Sequence, residues 1–209
     1  MSEGSATTLD PVQQSKLDIA RQKKETGDQA FKNGDLKAAL WSYHESLMYL
    51  RGLNTTATQA TSGQEGSKNP EIEGLLEKIY ANQSACHLKQ QNWKRALETA
   101  EQALKKNEKN YKAMFRKGKA LGELGYFEKC EKTLREVIEK SPEDAPGVEA
   151  ELERLRVLEK ERERVANQKF KGFLLNKEKS EKALGIDTPS APAPASQSAS
   201  ITEVVEETS

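Results

Sequence analysis

Apolar and small residues recur at steps of three and four from Leu17 to Leu155, the spacing that turns one face of a helix towards a neighbour. The first stripe runs through Leu17, Ile19, Ala20, Gly27, Ala30 and Phe31, starts near Ser15 as N-cap, and is broken by Asn33-Gly34. Ala39, Leu40, Tyr43, Leu47 and Leu50 form a second stripe on a helix opening at Leu36. Helix, tight turn, helix is therefore the predicted building block. The pattern resumes at Glu71–Lys89 with Leu75, Leu76, Ile79, Tyr80 and Cys86, and at Trp93–Lys105 with Ala96, Ala100, Ala103 and Leu104, with Gln91-Asn92 between them. Asn110–Ser141 reads as a further pair, with Gly125 at its turn and Ser141-Pro142 at its end.

Self-similarity sharpens this picture. Ser84 and Gly118, Trp93 and Phe127, Ala96 and Cys130, and Ala100 and Leu134 are all 34 residues apart, a period expected of a helix-turn-helix repeat array. Gly27 and Ser84 are 57 apart, and the Thr/Ser/Gly/Gln-rich stretch Asn54–Pro70, which lacks hydrophobic periodicity, accounts for the excess as a flexible insertion. Three repeats result, at about 20–53, 77–110 and 111–144.

After Pro146 the sequence continues as one long helix, whose Val148, Leu152 and Leu155 share a face that would cover the open end of the third repeat. A weak heptad runs on through Leu158 but meets Arg162, which argues against a stable coiled coil. The predicted organisation is a disordered N-terminus over 1–14, a repeat domain over 15–144 with its insertion at 54–70, a capping and extended helix over 145–184, and a disordered acidic tail over 185–209. The fold class is all-α.

Composition agrees and narrows the function classes. Charged residues make up 32% and aromatic residues 6% of the 209, as suits solvated helices. With 33 basic against 33 acidic residues, net charge nominates neither nucleic acid nor a membrane as partner. The balance hides a gradient, because Tyr111–Lys140 carries eight basic and five acidic residues, whereas Gly185–Ser209 carries four acidic and none basic. Two cysteines without a ladder of spacings, and an N-terminus without an apolar core, predict a reducing, cytoplasmic setting.

The small residue eighth in each unit (Gly27, Ser84, Gly118), the small one twentieth (Ala39, Ala96, Cys130) and Pro142 closing the third unit resemble the tetratricopeptide repeat pattern. That resemblance implies a right-handed superhelix whose first helices line a concave groove. On the third of these, Lys112 and Arg116 are one turn apart and share a face, able to hold an anion by charge-assisted hydrogen bonds. Asn82 occupies the position of Arg116 one repeat earlier, and Lys24 adds a positive charge from the first helix. These residues resemble the carboxylate clamp of co-chaperone domains, which reads Lys and, four residues on, Asn, then Asn in the second unit and Lys and Arg in the third. Lys24, Asn82, Lys112 and Arg116 match, Lys89 falls where some clamps place an auxiliary lysine, and Asp28 stands where the pattern has Asn. A carboxylate at Asp28 repels a ligand carboxylate and invites pairing with Lys24 at i,i+4. The resemblance implies a non-enzymatic adaptor for the acidic C-terminal peptide of a heat-shock protein of the 90- or 70-kilodalton class. SYHESLMYLRGLN and NQKFKGFL further resemble the tetratricopeptide repeat protein 9 family, and the repeat arrangement is similar to the C-terminal domain of large immunophilins.

The only histidines are His44 and His87, and Cys86 directly precedes His87, so the two point to different sides of a helix and make no nucleophile-base pair. No Gly-rich phosphate loop or metal-ligand spacing is present, and no cofactor is expected. Two other contacts are open: a basic amphipathic end over Lys169–Lys182 suited to calmodulin or a membrane surface, against which the favoured expectation is a solvated helix whose Phe170, Phe173 and Leu174 pack back on the repeats, and the chain's own Glu203-Val204-Val205-Glu206-Glu207 occupying the groove in cis. Another acidic or helical peptide remains the alternative ligand.

Overall fold

The computed structural model describes residues 10–58 and 69–183. Among these the regular elements are α1 (Pro11–Lys32), α2 (Leu36–Thr58), α3 (Pro70–Lys89), α4 (Trp93–Lys106), α5 (Tyr111–Glu123), α6 (Phe127–Lys140), a short 3₁₀ turn (Pro142–Asp144) and α7 (Ala145–Ala183). The chain divides into two compact units, the first ending at Glu163 and the second beginning at Arg164.

In the first unit α1 pairs with α2, α3 with α4 and α5 with α6, and the pairs stack in chain order. The three connections close alike. Asp35 N–H donates to Ala30 C=O at 3.0 Å, Asn92 to His87 at 2.9 Å and Tyr126 to Leu121 at 2.9 Å, the six-to-one bond that ends a helix on a left-handed residue. Gly34 (φ 83°), Gln91 (φ 57°) and Gly125 (φ 85°) supply that residue. The next helix is then capped by Asp35, which accepts from Ala38 N at 2.9 Å, and by Asn92, which accepts from Arg95 N at 3.4 Å.

Close approach of paired helices explains the small residues. A Cβ on Gly27 would lie 2.7 Å from the Tyr43 ring, and one on Gly118 would lie 2.5 Å from Leu134 Cδ2. Ala39, Ala96 and Cys130 are fully buried, as is Ser84. Two larger clusters form the core, one of Leu17, Tyr43, Leu50 and Ile79 with their neighbours, the other of Met114, Leu121, Leu134 and Val137. Val148, Leu152 and Leu155 of α7 complete the second cluster and cover the last repeat. Arg162, which interrupts the heptad, donates from its guanidinium to the carbonyls of Gly122 at 2.7 Å and Glu123 at 2.6 Å, and so satisfies the end of α5.

Two sequence expectations need correction. The first helix begins at Pro11, ahead of Ser15, because Asp10 and Gln13 form a reciprocal capping box with proline at the first helical position, so residues 11–14 are helical. The insertion expected over 54–70 begins later, because α2 continues to Thr58; Leu53, 4% exposed, is anchored in the core and no glycine or proline follows it before that point. The remainder of that insertion, the first nine residues and the tail from 184 onward lie outside the described residues, and with them the tail segment Glu203–Glu207.

In the second unit, residues of α7 from Arg164 present Phe170 and Phe173 at 61% and 64% exposure, with Leu174 also exposed.

Candidate functional site

The structure separates the six residues singled out in the sequence into two groups. Lys89, Lys112 and Arg116 line one cavity of about 520 Å³, together with Phe31, Phe115 and Val148. Lys24 and Asp28 line another, of about 590 Å³, with Arg21, Glu71, Leu75 and Lys78. Asn82 is tied to the second group through Asp28.

The first group is set by α5. Asn110 caps this helix by accepting from Ala113 N at 2.9 Å, and the four-residue step then brings Lys112 and Arg116 to one side. Lys112 is exposed and has no ion pair among the described residues. Arg116 reaches across to α3 and donates from Nη1 to the carbonyl of Ala81 at 2.9 Å. Burial pushes its pKa below the ordinary 12.5, and no carboxylate among the described residues compensates it. A half-buried cation bonded to one carbonyl retains donors for an anion, since a guanidinium has five. The Lys89 ammonium lies 4.2 Å from the centroid of the Phe31 ring, a cation–π contact that fixes it at the cavity wall.

The second group is self-contained. Lys24 Nζ lies 2.5 Å from Asp28 Oδ2, while Asp28 Oδ1 accepts from the Tyr43 hydroxyl at 2.7 Å and from Asn82 Nδ2 at 2.8 Å. Burial first, then the Asp28 carboxylate, holds the Tyr43 hydroxyl far above its ordinary value, so it stays a protonated donor. Lys24 and Asn82, two donors expected to face a ligand, are thus engaged by a carboxylate of the chain itself.

Sequence reasoning missed Tyr43 as a donor, because it stood only in the apolar stripe of α2. It also missed Lys119, which lines the first cavity but pairs with Glu151 at 3.1 Å. The repeat register carried no signal for that pair, since Glu151 lies beyond the last repeat.

Elsewhere, Cys86 is fully buried and burial pushes its thiol up to about 11, although Lys89 and Arg116 act in the opposite direction. Burial, assisted by Arg95, holds His87 below its ordinary value. Among the described residues no group of three or more His, Cys, Asp or Glu is placed to hold a metal, and no helix is long and apolar enough to cross a membrane.

Residues 87–152 match the family model described as Tetratricopeptide repeat. Over that stretch the chain is similar to the tetratricopeptide repeat family. More particularly, it shares its fold with the C-terminal tetratricopeptide-containing domain of a Plasmodium falciparum FK506-binding protein, at 21% identity and a TM-score of 0.61, covering 74% of this chain and 97% of that one. The second such domain of human RPAP3, solved in complex with the HSP70 peptide SGPTIEEVD, superposes with a TM-score of 0.50 at 18% identity, over 69% of this chain and 98% of that one. A curated relative, FK506-binding protein 5 of Rhizopus delemar, is 29% identical over 113 residues, 54% of this chain and 27% of the relative. The chain spans less than a third of the length of the curated relatives it matches first.

Proposed function

We propose that this protein is a non-enzymatic adaptor of the cytosol whose repeat groove binds an acidic peptide, with the C-terminal segments of heat-shock proteins of the 70- and 90-kilodalton classes as its ligands. The observation that carries this reading is the cavity lined by Lys89, Lys112 and Arg116, cations from two helices, with apolar walls of Phe31, Phe115 and Val148, beside the Glu151-paired Lys119 and the carboxylate of Asp144. Cations without carboxylate partners call for an anion, and the apolar walls call for an aliphatic side chain beside it. The likeness to a domain solved with SGPTIEEVD, a peptide that combines both, supports the same class of ligand.

Calorimetric titration with that peptide tests the reading. Binding weakens at least tenfold, about 1.4 kcal/mol, in Arg116→Ala and in Lys112→Ala. Unchanged affinity in both variants refutes a cationic groove as the peptide site.

A second reading applies to the second unit by itself, where exposed Phe170 and Phe173 alternate with Lys169 and Lys171 and suit an anionic membrane surface. Co-sedimentation with phosphatidylserine vesicles tests it: retention lost in a Phe170→Ser, Phe173→Ser variant supports the contact, and no sedimentation of the natural chain rejects it.

A further inference from the structure

Three helices send a hydrogen-bond or charge donor to one carboxylate, and that carboxylate belongs to the chain. Asp28 receives Lys24 from α1, Tyr43 from α2 and Asn82 from α3, at 2.5, 2.7 and 2.8 Å. A ligand carboxylate arriving at this end meets a like charge whose neighbouring donors are already engaged. Around α5 cations predominate: Lys112 and Arg116 have no carboxylate partner among the described residues, Lys89 rests on the Phe31 ring, and Asp144 lines the same cavity.

We propose that Asp28 stands in for a ligand carboxylate at the α1–α3 end of the groove, so that the accepted peptides are held through acidic side chains at Lys89, Lys112 and Arg116 and need no free C-terminus. The inference rests on the acidic-peptide reading above and specifies its ligand class: an acidic segment with an aliphatic side chain, internal or terminal, rather than a chain end read by its α-carboxylate. Asp28 is then the residue that sets this specificity. An asparagine at 28 has the same shape and keeps an oxygen that accepts from Tyr43 and Asn82, yet it releases Lys24 to a ligand.

Calorimetry of the full chain with SGPTIEEVD as the free acid, the same peptide as its C-terminal amide, and an amide with both glutamates changed to glutamine tests the proposal. The natural chain binds acid and amide within about twofold of one another and the glutamine peptide at least tenfold more weakly. Asp28→Asn gains at least a tenfold preference for the free acid, and the double variant Lys24→Ala, Asp28→Asn loses it again, with unfolding curves confirming that each variant is folded. A tenfold preference of the natural chain for the free acid overturns the proposal while leaving the groove as an acidic-peptide site. No gain of preference in Asp28→Asn overturns Asp28 as the determinant. Failure of every peptide to bind either protein overturns both this proposal and the reading beneath it.

Discussion

Asn82 Nδ2 donates to Asp28 Oδ1 at 2.8 Å, joining α3 to a residue 54 positions earlier on α1. The Tyr43 hydroxyl reaches the same oxygen from α2, so one carboxylate ties together the first three helices. Tyr43 is fully buried, and removal of its hydroxyl deletes one of those ties without changing the shape of the ring. Tyr43→Phe lowers unfolding stability by about 1 kcal/mol, read from the urea midpoint at unchanged slope. An unchanged midpoint shows that this bond contributes nothing net.

Glycine substitutions have opposite signs according to what faces them. In an open helix Gly→Ala gains up to about 1 kcal/mol, and Gly74, with nothing within 4 Å of an added Cβ, follows that rule. At Gly27 the added methyl meets the Tyr43 ring at 2.7 Å, and at Gly118 it meets Leu134 at 2.5 Å. Both partners are fully buried. Thermal unfolding shows Gly74→Ala more stable, and Gly27→Ala and Gly118→Ala each less stable by about 1–3 kcal/mol.

These contacts also explain what the sequence made legible. A repeat must place a small residue wherever its two helices touch, so Gly27, Ser84 and Gly118 advertise both the period and the packing, and the left-handed turn residues Gly34, Gln91 and Gly125 keep the same spacing. The charges of the groove were legible only as types at positions. Whether Lys24 faces a ligand or Asp28 depends on a side-chain geometry in which Tyr43 also takes part, and a hydroxyl at an apolar position gives no periodic signal. Lys119 escaped notice for a similar reason: its partner Glu151 sits on the capping helix, where no repeat register applies.

The two thiols are poor nucleophiles in the folded chain. Cys86 and Cys130 are fully buried, and burial pushes each up to about 11, with Glu151 acting in the same direction on Cys130. A thiolate is the reactive form, so labelling with an aromatic disulfide reagent at neutral pH is slow in the native state. Both cysteines react promptly in concentrated denaturant. Rapid native labelling of Cys130 alone identifies local opening between α6 and the start of α7.

Acid weakens the hold of the capping helix. Burial works against the charge on Glu151, but Arg154 and Lys119 outweigh it and hold the carboxyl below its ordinary 4.5. A carboxyl depressed in the folded state stabilises it above the unfolded value, and that contribution disappears as pH falls through the lower folded value. Glu151→Gln is therefore less stable than the natural chain near neutral pH, by about 1 kcal/mol. The difference shrinks as pH falls from about 5 towards 3. A difference independent of pH points to packing of the side chain rather than its charge.

Gln91 is the one non-glycine among the described residues with positive φ, at 57°, and it occupies the turn position held by Gly34 and Gly125 in the other two repeats. A side chain in the left-handed region costs roughly 1–2 kcal/mol, partly offset in any glycine variant by the greater freedom of the unfolded chain. The bond from Asn92 N–H to the His87 carbonyl at 2.9 Å closes this turn as its counterparts close theirs, so the backbone accepts glycine without rearrangement. Gln91 is exposed and its side chain buries nothing that the substitution would lose. Gln91→Gly raises stability by about 0.5–1 kcal/mol, measured by urea unfolding against Gln91→Ala, which keeps the strain and shows no such gain.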